Sequence, residues 1–211
     1  MSEAKQINTT CRFHWRRLIV RTIIAVWLGW WTHKARQQRE AVEALEKADA
    51  LVTHDYNLPW TGEMRNRPLW PQWLLDEVGI NYFADVKMIT LSYTKVTDTD
   101  LEHLRSLVDL QTLNLHHTKV TDAGLKHLQG LTALQLLALN NTNVTDAGLK
   151  DLQNLTALQF LWLDNTQVTD AGLEHIKNLS GMKWVDLTNT KVTDAGVARL
   201  QKVLPNCTIH H

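Results

Sequence analysis

Between Val86 and Val203 the apolar positions return every 24 residues, five times over. The second copy reads Leu110-Gln-Thr-Leu113-Asn-Leu115-His-His-Thr118-Lys-Val120-Thr121-Asp122-Ala-Gly124-Leu125-Lys-His-Leu128-Gln-Gly-Leu131. Copies begin at Val86, Leu110, Leu134, Leu158 and Met182. Leu91, Leu115, Leu139, Leu163 and Leu187 form one column, and Val96, Val120, Val144, Val168 and Val192 another. A fixed period of this length implies a solenoid, because one repeat cannot bury its own apolar face and stacking must do the burying.

Within each copy the period changes from two to helical. Alternation at the start predicts a strand with Leu113 and Leu115 turned into the core and Thr112, Asn114 and His116 turned out, and so on 24 residues either side. We expect parallel strands centred on Leu91, Leu115, Leu139, Leu163 and Leu187. Val120 tucks under the turn. Thr121-Asp122 then opens a short helix whose buried stripe is Leu125, Leu128 and Leu131. The Asp column, Asp98 to Asp194, reads as helix capping, by Thr or Asp ahead of an apolar run. One acid per repeat makes a line, whereas calcium needs 6–8 converging oxygens. Gly124, Gly148, Gly172 and Gly196 follow two residues later, but the first copy has Asp100, so close packing explains the glycine better than a left-handed backbone. Thr94, Thr118, Thr142, Thr166 and Thr190 are placed to satisfy turn backbone groups.

The spacing L-x-x-L-x-L-x-x-(N/C)-x-L, with Thr at the Asn/Cys position, resembles the leucine-rich repeat. The repeats resemble those of bacterial, planctomycete-like leucine-rich repeat proteins with a single membrane anchor. The Val-Thr-Asp-x-Gly-Leu half resembles the repeats of F-box receptor proteins, although nothing ahead of the repeats resembles an F-box. The resemblance implies an α/β leucine-rich repeat solenoid, with parallel strands on the concave face and short helices on the convex face. It covers a little over half the chain and says little about function, since one fold hosts many.

Ahead of the repeats, Leu18 to Trp31 is a fourteen-residue apolar run containing Leu18, Ile19, Ile23, Ile24, Val26, Trp27, Leu28, Trp30 and Trp31, with Arg21 inside it. A spanning helix wants about 20 apolar residues. Extending back to Phe13 gives nineteen but adds Arg16 and Arg17. Arginines near an end snorkel, and the tryptophans suit the interfacial belt. Residues 1–40 carry eight Lys/Arg against two acids, and a basic flank beside an apolar run points to a bilayer. We expect a retained N-terminal helical anchor, single-pass, in the cell membrane, with the amino terminus cytoplasmic and the repeats outside the cytoplasm. A cleaved signal peptide and a buried core helix are the alternatives; Trp30-Trp31 stand where a cleavage site would need small residues.

The boundaries follow. Residues 1–33 are the basic terminus and transmembrane or signal-anchor helix. Residues 34–57 hold a juxtamembrane helix, with Val42, Leu45 and Ala48 at helical spacing, and a β-like segment from Ala50 to Tyr56. Residues 58–85, with Trp60, Trp70 and Trp73, read as the amino-terminal solenoid cap, with an aromatic cage as the competing reading. Residues 86–203 are the five repeats, and 204–211 the carboxyl cap.

The interior columns barely vary and the concave ones do. Met88, Thr112, Leu136, Phe160 and Trp184 make one; Thr90, Asn114, Ala138, Trp162 and Asp186 the next; Ser92, His116, Asn140, Asp164 and Thr188 the third. Leu136, Phe160, Trp162 and Trp184 should form an outward apolar patch, rimmed by Asn140, Asp164, Asp186 and His116, with the Trp162 and Trp184 rings in contact. Such a patch marks a binding site for a protein or peptide, unless the aromatics only stack to stabilise the sheet.

Other chemistry is thin. The solenoid is nearly neutral, against nucleic acid. Cys11 and Cys207 make no framework. His103, His127 and His175 share a column on the outer helices and read as solvated. His116-His117, at the concave edge, could bind metal or a ligand carboxylate, but read as an isolated surface pair lacking a third metal ligand. No nucleophile–base pair, phosphate loop or metal cluster appears, so we expect no enzyme, cofactor or metal. Two further readings stay open: a substrate receptor of ubiquitin-ligase type, and an envelope scaffold.

Overall fold

The structure is a computed structural model and describes residues 36–48, 50–54 and 86–211. Seven strands form one sheet in the order of the sequence: β1 (Leu51–His54), β2 (Val86–Thr90), β3 (Thr112–Asn114), β4 (Leu136–Ala138), β5 (Phe160–Trp162), β6 (Trp184–Asp186) and β7 (Thr208–His210). β2 to β7 are parallel, with each residue opposite its counterpart 24 positions on: Leu113 faces Leu137, which faces Leu161. The repeating register is the sequence period made physical.

The strands lie earlier than expected. They end just before Leu91, Leu115, Leu139, Leu163 and Leu187 instead of centring on them. The leucine amides nonetheless continue the ladder, as Leu115 N donates to Ala138 O at 2.9 Å. All five leucines are fully buried. The chain then turns through a left-handed residue, Tyr93, His117, Asn141, Asn165 or Asn189. The next threonine closes that turn: Thr118 Oγ1 donates to Leu115 O at 2.7 Å, and the other four copies do the same. The valine column is buried beneath it.

The convex side carries short helices. Asp122–Leu125 and Asp146–Leu149 are single α-turns continued as 3-10 helix, Asp170–Ile176 and Asp194–Val203 are longer, and the first copy is wholly 3-10 at Asp100–Ser106. Thr121, Thr145, Thr169 and Thr193 are the N-caps, each accepting from a first-turn amide. The aspartates do something else. Asp122 Oδ1 accepts the Thr145 N–H at 2.8 Å and its Oδ2 accepts the Thr145 hydroxyl at 2.7 Å. Asp98–Thr121, Asp146–Thr169 and Asp170–Thr193 repeat the pairing. The column thus ties one repeat to the next, and threonine alone caps the helix.

That rung explains the glycines. A Cβ on Gly124 would meet Asp98 Oδ1 at 2.5 Å and Leu101 Cδ1 at 2.9 Å, and the other three glycines meet the carboxylate of the repeat before. Asp100 occupies the position in the first copy, where it accepts from Thr97 N instead.

The amino-terminal side is closed by residues that the sequence placed beside a membrane. Residues 36–46 are helical. Ala41, Val42 and Leu45 are buried in the same core as the repeat leucines, with Ala48 and Ala50 packed against it. β1 pairs antiparallel with β2, Leu51 opposite Thr90. Apolar spacing in this segment was therefore a docking face. At the other end β7 adds a strand, with Leu204 and Cys207 buried and Gln201 Nε2 donating to Leu204 O and Cys207 O. The anchor run, Leu18 to Trp31, and the 58–85 cap with Trp60, Trp70 and Trp73 lie outside the described residues. Among the described residues no helix is long and apolar enough to cross a membrane.

Candidate functional site

The pleat puts alternate strand residues on the open concave face, and the 24-residue register lines them into rows. The rows are those read from the sequence, each extended by one residue of β7. Met88, Thr112, Leu136, Phe160, Trp184 and Thr208 are opposite one another in turn, as are Thr90, Asn114, Ala138, Trp162, Asp186 and His210. Leu136, Phe160, Trp162, Trp184, Asn140, Asp164, Asp186 and His116 are all half-buried. Ala138, between Asn114 and Trp162, is buried.

The aromatic rings pair differently from the expectation. Trp162 stacks on Phe160 of its own strand, centroids 6.2 Å apart and 17° between planes. Trp184 stacks on His210 of β7, at 4.9 Å and 29°. Trp162 lies opposite Ala138 and Asp186, so the one-row offset directs each tryptophan to a different neighbour. His210 is the site residue that sequence reasoning missed. Carrying the register on from Asp186 would have found it.

Rim acids are held locally. Asp186 Oδ1 accepts from Thr188 N at 3.0 Å and its hydroxyl at 2.7 Å, and Asp164 Oδ2 accepts from Asn165 Nδ2 at 3.0 Å. These contacts fix the carboxylates while leaving lone pairs for a ligand donor. His116, further up the face, has its ring Nδ1 3.3 Å from Asn140 O and its Nε2 3.0 Å from the Tyr93 hydroxyl.

On the convex side a groove runs between Asp170–Ile176 and Asp194–Val203, lined by Leu173, Lys177, Arg199 and Val203 among others. Arg199 Nη2 donates to Asp170 Oδ2 at 2.8 Å. The Thr193 amide and hydroxyl bonds hold the Asp170 carboxyl below its ordinary value, with Arg199 adding to the effect. The outer histidines are less solvated than expected: His103 is exposed, but His127 and His175 are half-buried, and His127 Nδ1 is buried without a partner. No three His, Cys, Asp or Glu side chains among the described residues are grouped to hold a metal ion.

Residues 106–128 match the family described as Leucine Rich repeat, so the chain contains such a repeat in addition to the geometry above. No curated protein matches the chain. Among solved structures it is similar to a leucine-rich repeat protein of Leptospira interrogans, at 21% identity and TM-score 0.44, covering 59% of this chain and 37% of that one. It is similar to internalin C2 of Listeria monocytogenes at 23% identity and TM-score 0.36, covering 59% and 70%. Internalin F of the same species gives 21% identity and TM-score 0.40, covering 60% and 47%. The alignments thus span well under half of the Leptospira protein and just under half of internalin F.

Proposed function

We propose that the chain is a protein- or peptide-recognition module whose ligand lies across the concave sheet, and that residues 1–33 hold it in a membrane. Leucine-rich repeat proteins generally mediate protein–protein recognition. The observation that carries the reading is the contrast between the two faces of one strand: the core rows are nearly invariant, whereas the concave row runs from Met88 through Leu136 and Phe160 to Trp184. A solenoid that needed only to stack would have no use for a largely apolar row left half-exposed to solvent. Trp162 and Trp184 are the anchors, Phe160 and Leu136 extend the apolar floor, and Asp164, Asp186, Asn140 and His116 orient the ligand from the rim. These roles are binding chemistry.

The apolar Leu18–Trp31 run between basic flanks supports a cell-membrane anchor, with the repeats outside the cytoplasm. The single-anchor pattern supports kinship with planctomycete-like envelope proteins. The Val-Thr-Asp-x-Gly-Leu half supports a distant likeness to F-box repeats.

Melting and binding measured on the same Trp162→Ala and Trp184→Ala variants test the site. Lost binding with modest loss of stability supports it; large stability loss with partner binding intact would reject it in favour of a scaffold. For the anchor, the full chain should stay in the membrane pellet through an alkaline wash, and a chain lacking residues 1–33 should not. Release of the full chain would refute an integral anchor.

A further inference from the structure

The first two repeats depart from the last three at one turn position. Asn141, Asn165 and Asn189 adopt left-handed backbone there, φ 57°, 58° and 57°, which asparagine tolerates because its short amide bonds locally. The same position holds Tyr93 at φ 61° and His117 at φ 56°. The Tyr93 ring is an outlier in that region and costs stability, whereas histidine, like asparagine, is enriched there. Burial does not offset the cost, since Tyr93 is 73% exposed and His117 is exposed too.

The rings instead converge on one another. Tyr93 stacks on His117 at 5.0 Å and 25°, and meets His116 edge-on at 4.9 Å. The Tyr93 hydroxyl and His116 Nε2 are 3.0 Å apart. Lys95 and Lys119 follow two residues along the same two turns, both exposed, and no carboxylate among the described residues pairs with either. The nearest acids in sequence are engaged, Asp98 by Thr121, Asp100 by Thr97 and Asp122 by Thr145. Two exposed ammonium groups thus lie on the turns that carry two imidazoles and a phenol, with no ion pair to either among the described residues. The acids of the concave face lie in the later repeats, at Asp164 and Asp186. Strained, exposed and functionally unexplained residues are where binding roles are expected.

We propose that Lys95, His117 and Lys119, on the turns held together by the Tyr93–His116 pair, form a second subsite, selective for carboxylates, that takes an acidic residue of the same peptide whose apolar residue rests on Phe160 and Trp162. This builds on the concave reading and adds the ligand's chemistry and direction. Its acidic end lies over the first two repeats, away from Asp164 and Asp186. Two strand spacings of about 4.8 Å separate β3, which leads into His116, from β5. His116 also lies two residues beyond the level of Trp162, so the diagonal is about 12 Å, which an extended peptide covers in three to four residues. The ligand is therefore an acidic residue spaced three or four positions from an aromatic or large aliphatic one.

The test uses the full chain and two synthetic dodecamers that differ only in Glu against Gln, three positions from a Trp, in a Ser/Gly background. The Glu peptide should bind about tenfold more tightly at low salt, as charge-assisted contacts do, with the preference shrinking as salt rises. Tyr93→Asn/His117→Asn installs the residue the other repeats use, so the fold should hold, and Lys95→Gln/Lys119→Gln alters the surface alone. Each pair should abolish the preference for Glu. Equal binding of the two peptides, with Trp162→Ala still weakening both, would overturn the acidic subsite and leave the concave reading standing. Binding of neither peptide would overturn both.

Discussion

Asp122 and Thr145 stand 23 residues apart in the chain and share two hydrogen bonds, one from the threonine amide at 2.8 Å and one from its hydroxyl at 2.7 Å. The same threonine hydroxyl accepts the Ala147 amide at 3.3 Å. A single side chain therefore caps its own helix and fastens it to the previous one. Asp122→Ala should cost about 1–3 kcal/mol, the range for leaving two part-buried donors without their charged acceptor. Equilibrium urea unfolding measures it. A loss within a few tenths of a kcal/mol of zero would show that water replaces the rung.

Gly148 gives a coupled prediction. Alanine normally gains up to about 1 kcal/mol over glycine in a helix. Here its Cβ would collide with the Asp122 carboxylate and come within 2.9 Å of Leu125 Cδ1. Gly148→Ala should therefore destabilise, by about 1–3 kcal/mol as overpacking does. In the Asp122→Ala background the carboxylate is gone, so the cost should fall. A double-mutant cycle with no coupling would separate the glycine from the rung.

The last complete rung predicts acid sensitivity. Thr193 bonds to the charged form of Asp170 and holds its carboxyl below the ordinary carboxylate value, with Arg199 assisting. A depressed carboxyl stabilises the fold above its unfolded pKa and stops doing so as pH falls through its folded pKa. The contribution should be constant at neutral pH and disappear below about pH 4. Asp170→Asn should flatten that part of the stability–pH curve relative to the parent chain.

Tyr93→Asn should stabilise. Relieving a left-handed bulky residue is worth about 1 kcal/mol, less whatever the Tyr93–His116 contact contributes. Differential scanning calorimetry reads the sign. A fall in Tm would mean that the ring cluster outweighs the strain.

On the concave face, Trp162→Ala or Trp184→Ala should cost on the order of 2 kcal/mol in ligand binding, as anchor residues do. Asp164→Ala, a rim charge, should cost less. Stability should fall by about 0.5–1.5 kcal/mol for each lost ring stack. The Cys207 thiol is buried and desolvation raises its pKa. Alkylation at Cys207 should therefore be slow until the β7 end opens, giving a local probe of that cap.

The repeat was legible because burial and periodicity are the same fact seen twice: Leu113 recurs as Leu137 and Leu161, and those residues face one another. The concave rows followed for the same reason. What could not be read was anything set by partners one repeat away. Asp122 sits beside a helix start, so capping was the local reading, and only stacking brings Thr145 to it. Trp162 and Trp184 are in adjacent strands, but ring direction depends on χ angles that no spacing encodes. Val42 and Leu45 gave the right helix; their amphipathic spacing did not say whether its apolar face meets a solenoid end or another surface.

Because Asp98, Asp122, Asp146 and Asp170 each grip the threonine of the following repeat in the same way, each of these junctions accepts any of the four glycine-bearing repeats. Copying or deleting one 24-residue unit within the array leaves all remaining rungs with correct partners. Length is thus free to change by whole units. Such an event would leave the core rows unaltered but would change the distance between the Tyr93–His117 edge and the Phe160–Trp162 floor. Ligand span is the property that repeat number would tune alongside stability.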